Sequence, residues 1–130
     1  MTLPHDAPTV LRYLDFDYSD AEDGTGTFDA LVSTGPERVA AVHAEIAAVL
    51  GWAHAAFPAG RGPVEDGGTW DYDLHGMCEI PVPESLDYDE SAGRIAVRPG
   101  APGRPRHTAS LSIGGSPAFC EALRERFRID

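Results

Sequence analysis

The segment Trp70-Asp71-Tyr72-Asp73-Leu74-His75 alternates large apolar residues with aspartates and ends in a histidine. A β-strand sends successive side chains to opposite faces, so this pattern predicts a strand with one buried and one solvated face. The earlier segment Leu14-Asp15-Phe16-Asp17-Tyr18 repeats the pattern. If both strands belong to one sheet, their aromatic residues enter the core together and their carboxylates line one surface.

The first half of the chain predicts a hairpin followed by a long helix. A strand over residues 9–19 is followed by a turn of glycine and short polar residues and by a second strand, Thr27–Ser33, which favours antiparallel pairing. Gly35-Pro36-Glu37 then has the composition of a helix start. Apolar residues recur at spacings of three and four from Val39 to Phe57, so the helix is expected to face a sheet and to end near Pro58.

The second half predicts further strands and a short helix. A loop of prolines and glycines precedes a strand over Thr69–Ile80, and a long polar loop is expected over Pro81–Gly93. Arg94–Arg98 and His107–Ile113 resemble a second hairpin with a mobile tip rich in proline and glycine, and Ser116-Pro117 begins the last helix. The expected fold is one α+β domain over residues 1–130, with a mainly antiparallel sheet of about five strands, two helices on one face and the order ββαβββα.

The expected acidic face is the only candidate site in the sequence. It comprises Asp15, Asp17, Asp71, Asp73 and His75, with Asp29 of the intervening strand nearby. Carboxylate and imidazole groups together suit manganese, iron or zinc. Three alternate residues span about 13 Å along a strand, so at most two of them and one carboxylate from a neighbouring strand converge on one ion. A solvated face without chemistry is the simpler interpretation, because antiparallel sheets commonly expose one polar face.

Charge is distributed unevenly along the chain. Its net charge is −11, and residues 13–93 contain seventeen acidic residues against two arginines, whereas residues 94–130 contain seven arginines against three acidic residues. Arginines such as Arg94 or Arg98 are therefore expected to lie near the acidic face, unless a partner or a cation neutralises it. A field of this sign argues against a nucleic-acid partner. Because lysine is absent, the chain forms neither a Schiff base nor a P-loop.

The remaining candidates are isolated side chains. Cys78 and Cys120 have no cysteine partner at zinc spacing and are expected to be small core residues, a disulfide between them being the alternative. His43 and His54 border the apolar stripe of the long helix, about 16 Å apart, so they do not share a metal. Trp52 lies off that stripe, which favours a second packing surface or a dimer contact.

Two functional hypotheses follow. The first is a small acidic binding or adaptor protein that meets a protein partner, or a second copy of itself, through the acidic face or the Trp52 flank. The second is a metal-dependent enzyme that uses Asp71, Asp73 and His75 with a carboxylate of Asp15 or Asp17. Without a basic leader or a stretch of about 18 apolar residues, a cytoplasmic location without membrane contact is expected. No cofactor is predicted.

Overall fold

A computed structural model describes residues 10–58, 60–62 and 68–130 of the chain. The start of the first expected strand and part of the loop before Thr69 lie outside the described residues. The elements are β1 (Asp17–Asp20), β2 (Gly26–Thr34), a 3-10 turn (Pro36–Arg38), α1 (Val39–Ala56), β3 (Trp70–Glu79), β4 (Glu84–Asp89), β5 (Arg94–Pro99), β6 (Arg106–Gly115) and α2 (Pro117–Phe127).

The fold is α+β, as the sequence predicts. Four strands form an antiparallel sheet in the order β1-β2-β6-β3, and β4 and β5 form a separate two-stranded sheet. The predicted hairpin of β1 and β2 is confirmed, although β1 comprises only the four residues Asp17–Asp20 instead of the expected 9–19. Since β6 lies between β2 and β3, the two aspartate-rich segments occupy opposite edges of the sheet.

The core lies between one face of the four-stranded sheet and the two helices. Its sheet side comes from alternate residues of β2 and β6 and from Trp70 of β3, and its helix side comes from the predicted stripe of α1 and from α2. The buried members are Phe28, Ala30, Trp70, Leu111 and Ile113 from the sheet, Val42, Ile46, Val49 and Ala53 from α1, Phe119, Cys120, Leu123 and Phe127 from α2, and Leu14 and Phe16.

Two polar contacts attach the flanking segments to this core. The Glu45 carboxylate on α1 accepts hydrogen bonds from the backbone N–H groups of Arg12, Tyr13 and Leu14, at 2.8, 3.0 and 3.1 Å. The Ser116 side chain accepts a bond from Phe119 N at 3.3 Å, so it caps α2 as the sequence predicts. The first contact attaches residues 12–14 to α1, and the second caps the start of α2 directly after β6.

The long helix corrects one expectation about membranes. By length and composition alone, the helical segment Pro36–Ala56 is apolar enough to span a membrane, with a mean hydropathy of 1.3. The sequence was expected to contain no such segment. Four residues of α1 are buried against the sheet, which is also what the core helix of a globular domain shows. The helix therefore decides nothing about location.

The region 81–105 differs most from the prediction. Residues 84–89 form β4 rather than a loop, and β5 pairs with β4 rather than with β6. The two prolines that suggested a loop, Pro81 and Pro83, lie just before β4. Their carbonyl oxygens accept hydrogen bonds from Gly103 N and Gly100 N, respectively, in the segment that follows β5, both at 2.7 Å. Residues 99–105, the expected tip of that hairpin, do connect β5 to β6, but the two strands pair with β4 and β3 and not with each other.

Candidate functional site

The acidic face exists, but its members lie far apart. The pairing of the strands aligns four residues across the sheet. Asp17 of β1 lies opposite Asp29 of β2, which lies opposite Ser112 of β6, and Ser112 in turn lies opposite Asp73 of β3. These residues form one row across the sheet, on the face away from the helices. Asp71 and His75 lie on either side of Asp73 on that face, and Asp15 is exposed just before β1.

The row does not bring the predicted ligands together. Asp17 and Asp73 are separated by two strands, hence by roughly 14 Å at the usual strand spacing. The expectation that Asp15 or Asp17 lies on a strand next to β3 is therefore wrong. Among the described residues, no three histidine, cysteine, aspartate or glutamate side chains lie close enough to hold one metal ion. The face offers a broad negative surface rather than a compact ligand set.

Internal cations neutralise little of this face. Arg61 binds Asp71, with 3.2 Å between Nε and Oδ1, and its guanidinium also lies over the Tyr72 ring. Arg98, expected to lie near the face, instead pairs with Asp87 within the two-stranded sheet. Within the part of the chain that the structure describes, Asp17, Asp29 and Asp73 have no ion-pair partner. Their charges therefore face solvent.

Trp52 contributes to packing. Its ring lies between α1 and α2, with centroids 5.8 Å from Phe127, 6.0 Å from Phe119 and 6.2 Å from Phe57. The side chain is half-buried against the core. This placement supports the second packing surface that the sequence favoured, and its alternative role in a dimer contact stays a prediction.

A groove opens on the helix side of the sheet, beyond the core. Both helices cover the end of the sheet near Trp70, whereas only the first half of α1 lies over the opposite end. The space between has a volume of about 640 Å³. Its apolar walls come from α1, β2, β3 and β6, with Val32, Val39, Val42, Ile46, Ala47, Leu50, Leu74 and Ala109 among them.

The polar groups of the groove include a cysteine and a histidine that sequence analysis did not connect. Cys78 and His107 are cross-strand partners of β3 and β6, and their Sγ and Nε2 atoms are 4.0 Å apart. Cys78 is exposed, which corrects its expected place in the core, whereas Cys120 is buried as expected; both thiols are free. His43 of α1 also lines the groove. Strand pairing brings these residues together, so spacing in the sequence carried no signal for them.

The ribbon formed by β4 and β5, here called the arm (residues 84–99), has one apolar face. Leu86 is the partner of Val97 and Tyr88 is the partner of Ile95, so all four side chains lie on the same side. They are 63, 53, 64 and 54 % exposed, respectively. The signal in the sequence was the alternation Glu84-Ser-Leu-Asp-Tyr-Asp89, which has the same period as β3.

The turn of the arm is held by one carboxylate. Asp89 Oδ1 accepts bonds from Ser91 Oγ at 2.7 Å, Ser91 N at 3.0 Å and Ala92 N at 3.2 Å. These bonds, the one from the Ser91 hydroxyl first, hold the pKa of Asp89 below its ordinary value of 3.8. Gly93 completes the turn at a φ of 66°, a backbone conformation that is unfavourable for residues other than glycine.

No protein-family model, curated protein or solved structure matches this chain. Three features of the structure therefore indicate what the protein does: the acidic face, the groove and the arm.

Proposed function

We propose that this chain is a small acidic binding protein that assembles with a protein partner through the apolar face of its arm, and that this partner is a second copy of the chain. The observation that carries the proposal is the set of four apolar side chains on one face of a two-stranded ribbon, each more than half exposed.

The arm needs a further contact to be stable. A two-stranded hairpin is at best marginally stable in water and usually needs a third strand or a packed face. Every residue of β4 and β5 is exposed, so within the described chain nothing covers the arm. A contact on the face of Leu86 and Val97 supplies the missing burial, at roughly 25 cal/mol for each Å² of apolar surface removed from water.

The apolar face of the arm suits a second copy of itself. In a twofold contact the same patch serves both subunits, so the patch must be complementary to itself. The four apolar side chains carry no charge, whereas the salt bridge between Asp87 and Arg98 joins residues on the opposite face. Two arms meeting face to face therefore bury apolar groups against apolar groups. The one charged residue of the two strands on that face, Glu84, lies at the end of the arm nearest the domain, beside Pro99.

The net charge of −11 opposes the association of two copies of the chain. Strands of six residues extend about 20 Å. Charges in solution at physiological salt are screened over about 8 Å. A contact made by the arms keeps the acidic faces of the two domains beyond that distance, so the repulsion is largely screened.

The metal-dependent alternative has weaker support. Asp71, Asp73 and His75 share one face of β3, but the cross-strand neighbours of Asp71 and Asp73 are Gly114 and Ser112, and neither supplies a carboxylate. The third ligand that the hypothesis needed from Asp15 or Asp17 lies on the far edge of the sheet.

Sedimentation equilibrium over a range of protein concentrations tests the proposal. The unmodified chain is expected to form a dimer, and Leu86→Asp is expected to be monomeric because it places a charge in the buried patch. Ser85→Asp is the matched control: it adds the same charge to the neighbouring residue on the opposite face and should still dimerise. Circular dichroism checks that both variants fold. A monomeric unmodified chain, or a Leu86→Asp variant that still dimerises, contradicts the proposal.

A further inference from the structure

The lining of the groove differs from the rest of the protein in its lack of charge. Charged residues make up 24 % of the chain, yet none of the described residues that line the groove is an aspartate, a glutamate or an arginine. A ligand with a full charge would find no opposite charge there and would lose its hydration. The lining therefore favours an uncharged occupant.

Small residues of the sheet, on the side of the groove opposite α1, create the volume of the groove. Gly76 of β3 is the cross-strand partner of Ala109 of β6, at a level of the sheet where larger residues would fill the gap below α1. A methyl group added at Gly76 would meet only the Thr108 carbonyl oxygen, at 3.8 Å. The hollow thus results from two adjacent small residues, and a larger side chain has room there.

Polar residues are a minority of the groove lining. Four of the six, Thr34, Cys78, His107 and Thr108, lie at the end of the sheet away from the core, and His43 and His75 are the other two. Along β3 and β6, the pair of Leu74 and Leu111 adjoins the core, and the pair of Cys78 and His107 lies farthest from it. Imidazole and thiol groups donate and accept hydrogen bonds without a fixed charge. This arrangement has the features of a small-molecule site: mostly apolar walls, a small number of polar groups, and a volume between about 300 and 1,000 Å³.

We propose that the groove between α1 and the distal half of β3 and β6 binds an uncharged, largely apolar small molecule that directs one hydrogen-bonding group toward Cys78 and His107. This site goes beyond the assembly proposed above, since none of its lining residues belongs to the arm. The two proposals can therefore fail separately.

Binding can be measured with N-phenyl-1-naphthylamine, an uncharged aromatic probe with one N–H group whose fluorescence rises in apolar surroundings. Saturable binding of one probe per chain is expected. Gly76→Ile fills the groove from the side of the sheet, favours the strand conformation and should abolish the signal. The control Ser110→Val adds a β-branched side chain to β6 on the opposite face of the sheet and should bind normally. Thermal unfolding monitored by circular dichroism confirms that each variant folds.

Alkylation of Cys78 locates the bound probe. Cys78 is exposed, whereas burial raises the pKa of the Cys120 thiol, so N-ethylmaleimide should modify Cys78 alone in the native protein. At ten times its dissociation constant, the probe should slow this reaction about tenfold. The arm variant Leu86→Asp should retain both the fluorescence signal and the protection.

Three outcomes overturn the inference. The first is unchanged probe binding by Gly76→Ile. The second is loss of binding in Leu86→Asp, which would place the probe on the apolar face of the arm. The third is protection of Cys78 that depends on protein concentration without any probe, which would assign the groove to a segment of a second copy.

Discussion

Glu45 joins the N-terminal segment to α1 through a single carboxylate that receives three backbone N–H groups. Charge-assisted hydrogen bonds are stronger than neutral ones, and removing the acceptor leaves the donors of a part-buried segment without partners. Glu45→Ala is therefore expected to lower the free energy of unfolding by about 1–3 kcal/mol, as measured by urea denaturation.

The control for Glu45 is another glutamate near the start of the helix. Glu37 pairs with Arg104 at 2.7 Å, but both side chains are more than half exposed. Exposed ion pairs contribute little, so Glu37→Ala should change the free energy of unfolding by no more than about 0.5 kcal/mol. Equal losses in the two variants would show that the contact of Glu45 with residues 12–14 does not stabilise the fold.

The turn of the arm is an element whose structure depends on pH. In the folded chain the pKa of Asp89 lies below 3.8, so its contribution to stability is complete above that pH and is lost as the pH falls below it. NMR titration of the Asp89 carboxyl group should show this low pKa. In Ser91→Ala the pKa should rise toward 3.8, because the largest cause of the shift, the bond from the Ser91 hydroxyl, is removed.

Ser85→Ala is the control for this titration, because it lies on the same strand as Asp89 without contacting its carboxylate. The pKa of Asp89 should not change in that variant. An unchanged pKa in Ser91→Ala would mean that the turn of the arm is held differently from the geometry described above.

Local periodicity accounts for the elements that the sequence predicted correctly. The stripe of α1, the cap at Ser116 and the alternation in β2 each depend on neighbouring residues, and all three are confirmed. The strand predicted over β3 also forms, but only Trp70 is buried in it, and Leu74 is 44 % exposed. Alternation also placed Asp17, Asp29 and Asp73 on one face. Alternation does not specify which strands are neighbours, because a strand with one apolar face can pair with any other strand of that kind. The distance between Asp17 and Asp73 therefore became known only from the strand order in the structure.

The elements that the sequence did not predict are those with few local signals. β4 lacks a buried face and follows two prolines, so its composition resembles that of a loop. The pairing of Cys78 with His107, and the hollow above Gly76 and Ala109, arise from the register of β3 against β6. The paired residues are 29 and 33 positions apart, so no short segment of the sequence contains this register, and both features appeared only in three dimensions.

The charge distribution differs among three surfaces of the protein. The acidic face of the sheet is solvated, the groove is uncharged and the arm carries its own ion pair. Of the acidic row, Asp73 is separated from Asp29 by one strand, β6, but Asp17 and Asp29 are direct cross-strand partners. Like charges in such positions destabilise a sheet, so this pair opposes folding.

Neutralising one member of the pair should therefore stabilise the protein. Asp29→Asn is expected to raise the free energy of unfolding by about 0.2–1 kcal/mol in low salt, and by less in 1 M NaCl, where screening shortens the range of the repulsion to about 3 Å. Urea denaturation at one protein concentration measures the change. Asp71→Asn serves as the control, because Asp71 is paired with Arg61 and should gain nothing. If Asp29→Asn instead lowers stability, the carboxylate of Asp29 has a favourable partner, and the acidic face is held by a bound cation or by a basic surface of another protein.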